Sequence, residues 1–122
     1  MAKILLIDDD AALRQTMKKI VALLGHVSDE AQDGLVGLRL FQEGAYDLVV
    51  TDLLMPEKEG IETIMELREL APGVKILAVS GGLSRDREGP LSDAEALGAD
   101  ASLPKPFSVA EFSDAVEELL NR

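Results

Sequence analysis

Cysteine is absent from the 122-residue chain. That excludes disulfides, zinc–thiolate sites and thiol nucleophiles, and it agrees with a reducing compartment. Tryptophan is also absent, and Phe41, Tyr46, Phe107 and Phe112 are the only aromatic residues. A stacking platform for single-stranded nucleic acid has little to work with. Positive charge is scarce: 12 Lys and Arg stand against 23 Asp and Glu, a formal net charge of −11. Such a surface repels phosphate backbones, so direct nucleic-acid binding is not expected. No run approaches the roughly 18 consecutive apolar residues of a membrane helix. The apolar run Ile4–Ile7 is too short for a signal-peptide core. A cytoplasmic protein without membrane contact is the expectation. Apolar residues still make up 47% of the chain, enough for a real core. Length and the lack of a linker predict one domain over residues 1–122.

Two kinds of segment alternate. Short apolar runs rich in β-branched residues occur at Ile4–Ile7, Leu48–Val50 with Thr51, and Val74–Val79. They read as strands buried on both faces. Weaker strands are expected near Val27–Ala31 and Asp100–Leu103. Between them, apolar residues recur with helical period: Leu13, Met17, Ile20, Val21 and Leu24, then Gly25 as a stop signal. Leu35, Leu38 and Phe41 predict a second helix ending before Gly44. Ile61, Ile64, Met65, Leu67 and Leu70 predict a third, stopped by Pro72-Gly73. A fourth is expected over Leu91–Leu97. Val109, Phe112, Val116, Leu119 and Leu120 predict a fifth, N-capped by Ser108. Five strand–helix alternations mean an α/β fold: a parallel sheet with helices on both faces and right-handed crossovers. Gly81–Pro90 reads as a mobile loop leading into a helix.

In such a sheet, ligands bind beyond the carboxyl ends of the strands. Asp8, Asp9 and Asp10 follow the first run, Asp52 the third, Ser80 the fourth and Lys105 the weak fifth. Each has a bland explanation. Asp10 fits a helix N-cap, Asp52 a turn, Ser80 a loop start and Lys105 a surface lysine. All of them falling together at strand ends calls for a common cause. Clustered carboxylates repel unless a cation neutralises them, and Mg²⁺ is a hard ion suited to oxygen ligands. Carboxylate, cation, hydroxyl and ammonium together can hold a phosphoryl group.

These residues closely resemble the receiver domain of two-component response regulators. The resemblance runs from Lys3 to about Leu120. It rests on Ile4-Leu5-Leu6-Ile7-Asp8-Asp9-Asp10, Leu48-Val49-Val50-Thr51-Asp52-Leu53-Leu54-Met55-Pro56 with Gly60, Ile76-Leu77-Ala78-Val79-Ser80-Gly81, and Gly98-Ala99-Asp100 with Lys105-Pro106-Phe107. It implies a doubly wound, flavodoxin-like fold with strand order 2-1-3-4-5, for which a member of this family is itself a standard illustration. It implies that Asp52 is the phosphoacceptor, served by a sensor histidine kinase or a phosphotransfer protein. Asp9, Asp52 and the Leu54 backbone carbonyl would ligate Mg²⁺, with Asp8 acting through water. Ser80 and Lys105 would contact the phosphoryl group, and the Lys105–Pro106 bond would be cis. Phosphorylation would shift an existing equilibrium. The face built from the fourth helix, fifth strand and fifth helix would then engage an output domain, another protein, or a second copy as a homodimer. The domain would be a signalling module rather than an enzyme, catalysing at most its own phosphorylation and dephosphorylation.

Three departures from the family pattern stand out. Ser102 occupies the position that usually carries a switch aromatic. Leu54 and Gly82 stand where residues that set aspartyl-phosphate lifetime usually lie, and neither side chain can hydrogen-bond water. The stretch from Ser80 to Lys105 is a few residues longer than in a compact member, with the excess placed in Leu83–Pro90. Two rivals compete with this reading. One is a receiver-like docking module that is never phosphorylated. The other is a haloacid-dehalogenase-type phosphatase with Asp8 as nucleophile, which would leave Asp52 and Lys105-Pro106 without a role.

Overall fold

The computed structural model describes residues 1–53, 60–80 and 98–122, with Ile61 described by its backbone alone. Five strands form one parallel sheet: β1 (Lys3–Ile7), β2 (Val27–Ala31), β3 (Leu48–Asp52), β4 (Lys75–Ser80) and β5 (Ala101–Pro104). Their order is β2-β1-β3-β4-β5, as the resemblance implies. Among the described residues four helices connect them: α1 (Ala11–Leu23), α2 (Gly34–Glu43), α3 (Gly60–Leu70) and a C-terminal helix (Val109–Leu120). The helix expected over Leu91–Leu97 and the loop expected over Gly81–Pro90 lie outside the described residues. None of the described helices is long and apolar enough to cross a membrane.

The core has two layers because strand side chains alternate between faces. Leu5, Ile7, Val49, Ile76 and Ala78 pack against Leu38 of α2 and Ile64 and Leu67 of α3. Ile4, Leu6, Val50, Leu77 and Val79 pack against Met17, Ile20 and Val21 of α1 and Phe112, Val116 and Leu119 of the C-terminal helix. Central strands β1, β3 and β4 are thus covered on both sides, which is why their sequences are nearly continuous apolar runs. At the edge, β2 alternates exposed and covered residues.

Helix ends follow their capping residues. Asp10 accepts the Leu13 N–H and caps α1. Asp33 does the same for α2 through Val36. Ser108 and Glu111 form a reciprocal capping box on the C-terminal helix. Gly25, just past α1, has φ of 88°, a left-handed exit that a side chain would resist. The periodic apolar residues are not all interior. Leu35, Met65, Leu70 and Val109 are 47–59% exposed. Each has the right period, yet the helix carries it clear of the sheet.

Candidate functional site

Parallel pairing brings the carboxyl ends of the strands to one edge. Ile7 pairs with Thr51 across β1 and β3, so Asp8 and Asp52 leave the sheet side by side. Asp52 pairs with Val79, and Ser80 with Pro104. The Lys105 N–H then donates to the Ser80 carbonyl at 2.7 Å, which sets Lys105 at the same edge. Its bond to Pro106 is cis.

Asp8, Asp9 and Asp52 each offer a carboxylate oxygen within 4.8 Å of the others. Asp8 and Asp52 are buried and Asp9 is exposed, so the cluster opens to solvent on one side. The Lys105 ammonium lies 2.8 Å from Asp8 Oδ2 and 3.3 Å from Asp52 Oδ2. It therefore bridges both acids and sits closer to Asp8. Burial works against its charge, but the hydrogen bond and charge of Asp8, then the charge of Asp52, outweigh that and raise its pKa above 10.5. It is a firm cation at neutral pH. Ser80 is buried, and its Oγ has no hydrogen-bond partner among the described residues. A buried hydroxyl without a partner is costly and is suited to an incoming oxygen ligand.

Both carboxylate oxygens of Asp8 are engaged. Oδ1 accepts the Asp10 N–H at 2.8 Å and Oδ2 accepts Lys105. That suits a structural and electrostatic role better than the free nucleophile which the phosphatase reading requires. Gly60 explains a close approach behind Asp52. A Cβ there would lie 2.0 Å from the Asp52 carbonyl oxygen, while the Gly60 N–H donates to the Leu53 carbonyl. Only glycine lets the start of α3 seat against the strand end.

Asp8, Asp9, Asp52, Ser80 and Lys105 all arrive at this edge. Ser102 lies within β5, and Leu54 lies outside the described residues. One residue was not foreseen. The Arg14 guanidinium donates to the Asp8 carbonyl at 2.6 Å and to Glu30 Oε1 at 3.3 Å. Its one sequence signal is position: Arg14 sits four residues after the cap Asp10, and its N–H donates to the Asp10 carbonyl in the first turn of α1.

Fold and site together define a doubly wound α/β domain whose carboxylate cluster, at the strand ends, could hold a metal ion. Comparison with known proteins goes further: residues 4–117 match the response regulator receiver domain, and the chain belongs to that family. It is 35% identical to a transcriptional regulatory protein CpxR homolog of Haemophilus influenzae, over 100% of this chain and 52% of that protein. The chain spans about half the length of this and several other curated relatives it matches. Among solved structures, a Clostridium thermocellum response regulator receiver domain superposes with a TM-score of 0.90 at 29% identity, covering 100% of this chain and 96% of that one. TrrA of Thermotoga maritima, a response regulator solved in complex with Mg²⁺–BeF, gives 0.85 at 29% identity over 98% and 99%.

Proposed function

We propose that residues 1–122 form one receiver domain and that Asp52 is its phosphoacceptor. The observation carrying this reading is the meeting of three carboxylates, one ammonium and an unpartnered buried hydroxyl at one sheet edge. An Asp52 carboxylate oxygen attacks phosphorus, the N–P bond of a donor phosphohistidine breaks, and the leaving imidazole takes up a proton. The product is an acyl phosphate on Asp52. The donor is a sensor histidine kinase or a phosphotransfer protein. The donor set fits a hard divalent cation. Asp9, Asp52 and the Leu54 carbonyl would hold Mg²⁺, with Asp8 beside it; support for a Mg²⁺ site comes from the similar TrrA, solved in complex with Mg²⁺–BeF. Such an ion supplies charge neutralisation between carboxylate and phosphoryl oxygens.

The chain's own groups do the rest. Lys105 supplies a fixed positive charge, and Ser80 donates to a phosphoryl oxygen. Phosphorylation adds about −1.5 to −2 charges and draws both groups toward it. This shifts a pre-existing equilibrium, read out on the face built around β5 and the C-terminal helix by an output domain, another protein or a second copy. Ser102 in place of an aromatic makes that readout different from an aromatic switch. The domain acts in the cytoplasm, without direct contact with nucleic acid or membrane, and turns over no substrate beyond its own phosphoryl group.

The test is intact-protein mass after incubation with acetyl phosphate, with and without Mg²⁺, on wild type and Asp52→Asn. The expected result is a Mg²⁺-dependent phosphoryl increment that vanishes in the variant. An increment retained by Asp52→Asn would move the acceptor elsewhere. No increment in a folded, Mg²⁺-binding protein would favour the docking module.

A further inference from the structure

We infer that Arg14 is a positioning residue for this site: it sets the Asp8–Asp9 peptide and thereby the aim of the Asp9 carboxylate. The inference rests on the proposed Mg²⁺-dependent phosphoacceptor. Three groups converge on Asp8 from three elements. Its N–H donates to the Ala31 carbonyl at the end of β2, at 3.1 Å. Its carboxylate takes Lys105 from beyond β5. Its carbonyl takes the Arg14 guanidinium from α1 at 2.6 Å. That carbonyl shares one rigid plane with the Asp9 N–H. Fixing the carbonyl fixes the direction in which the chain enters Asp9, the exposed acid of the cluster.

Arg14 is itself held. Its Nε donates to Glu30 Oε1, with the two side chains only 17% and 21% exposed. Glu30 pairs with Leu6 in the sheet, whose side chain belongs to the layer under α1. The fork is thus anchored by one branch and used by the other. A planar guanidinium can do this, whereas an ammonium on a flexible stem holds geometry less well. Lys18 also reaches Glu30, at 3.4 Å, so Glu30 remains compensated when Arg14 is removed.

Charge and position predict opposite signs. Removing a positive charge near an acidic cluster tightens cation binding by electrostatics alone. Losing a residue that orients a metal ligand weakens it, typically by 10–100-fold. Calorimetric titration with MgCl₂ separates the two, using wild type, Arg14→Ala and Arg14→Lys. Arg14→Ala is expected to weaken Mg²⁺ binding by about tenfold or more. It is also expected to shift the Asp9 amide resonance in the absence of any cation. Arg14→Lys keeps the charge and loses the fork, so it is weakened too, by less. Should Arg14→Ala fail to fold, Arg14→Lys provides the reading by itself, because it keeps the charge and any weakening then reports lost position.

Equal or tighter Mg²⁺ binding in Arg14→Ala, or full wild-type affinity in Arg14→Lys, would overturn the inference. So would a lowered melting temperature with unchanged affinity and an unmoved Asp9 amide, the signature of a purely structural contact. A wild-type protein that takes up no Mg²⁺ would instead overturn the phosphoacceptor reading beneath it.

Discussion

The two ends of the sheet carry similar residues arranged to opposite effect. At the amino ends of the strands, charges are matched. Asp29 accepts the Tyr46 hydroxyl at 2.7 Å and faces Lys3 at 3.9 Å, while the Lys3 ammonium lies 4.8 Å from the centre of the Tyr46 ring. Arg68 donates to the carbonyls of Pro72, Val74 and Gly98 and pairs with Asp100, which also takes the Ile76 N–H. His26 bridges the Ala2 N–H and Glu117. At the carboxyl ends, three carboxylates gather, two of them on Lys105, and Ser80 Oγ has no partner among the described residues. One end is closed by its own residues and serves stability. The other brings three carboxylates and a buried hydroxyl, unpartnered among the described residues, to one place that could hold a metal ion.

That contrast is sharpest where a pair is broken. At the closed end, Asp100→Ala removes the one carboxylate partner of the Arg68 guanidinium among the described residues, together with the side-chain acceptor of the Ile76 N–H. Both partners are about a quarter exposed, so a loss of about 2–3 kcal/mol is expected, less than for a fully buried ion pair. Denaturant unfolding measures it, and acceptance of phosphoryl from acetyl phosphate should be unchanged. A cost below about 1 kcal/mol would make the closed end ornamental and weaken the comparison.

The open end should behave in the reverse sense. Without divalent cation, Asp9→Asn removes a repelling charge from an exposed position and should leave stability unchanged or higher by up to about 1 kcal/mol. With Mg²⁺ at ten times the wild-type Kd, wild type gains about 1.4 kcal/mol from binding the folded state alone. The stability order of the two proteins should then reverse. Melting curves with Mg²⁺ and after chelation decide it, and a variant that is less stable in both would show that the acids are not in excess.

The smallest effect concerns Tyr46, where nothing changes at neutral pH. Burial, the hydrogen bond to Asp29, and the charges of Asp29 and Glu43 push its pKa from 10.0 to about 12. The folded state therefore keeps the proton where the unfolded chain loses it. Tyrosine-linked stability is full below pH 10 and falls as pH rises from 10 toward 12. The chain has one tyrosine and no tryptophan, so ultraviolet absorbance of the ionised phenol reports this group alone. A midpoint near 10.0 would mean that the Asp29 hydrogen bond does not hold the phenol proton.

Much of this was legible beforehand, and the gaps have physical reasons. Leu48–Val50 and Val74–Val79 announced central strands because a strand covered on both faces has no polar side. Val27–Ala31 was faint because an edge strand is half solvated, and its Ser28, Asp29 and Glu30 dilute the pattern. Leu35, Met65, Leu70 and Val109 kept the helical period yet stand about half exposed. Periodicity marks a helix face but not how far the sheet beneath it extends. Asp8, Asp9, Asp52, Ser80 and Lys105 were found because parallel strands deliver their last residues to one edge. Arg14 was not, because its contact with Asp8 depends on how α1 docks and on the register that brings Glu30 beneath it.

The amino-acid sequence by itself determined the alternation of strands and helices, the caps at Asp10 and Ser108, and the polar residue after four of the five strands. These follow from local propensity, hydrophobic period and the topology of parallel sheets. Only the tertiary structure decided that Lys105 sits nearer Asp8 than Asp52, that Ser80 Oγ is left without a partner among the described residues, and that Arg14 holds the Asp8 carbonyl. Such contacts join residues 6 to 97 positions apart. They depend on ångström-level packing between elements, which no pattern along the chain encodes.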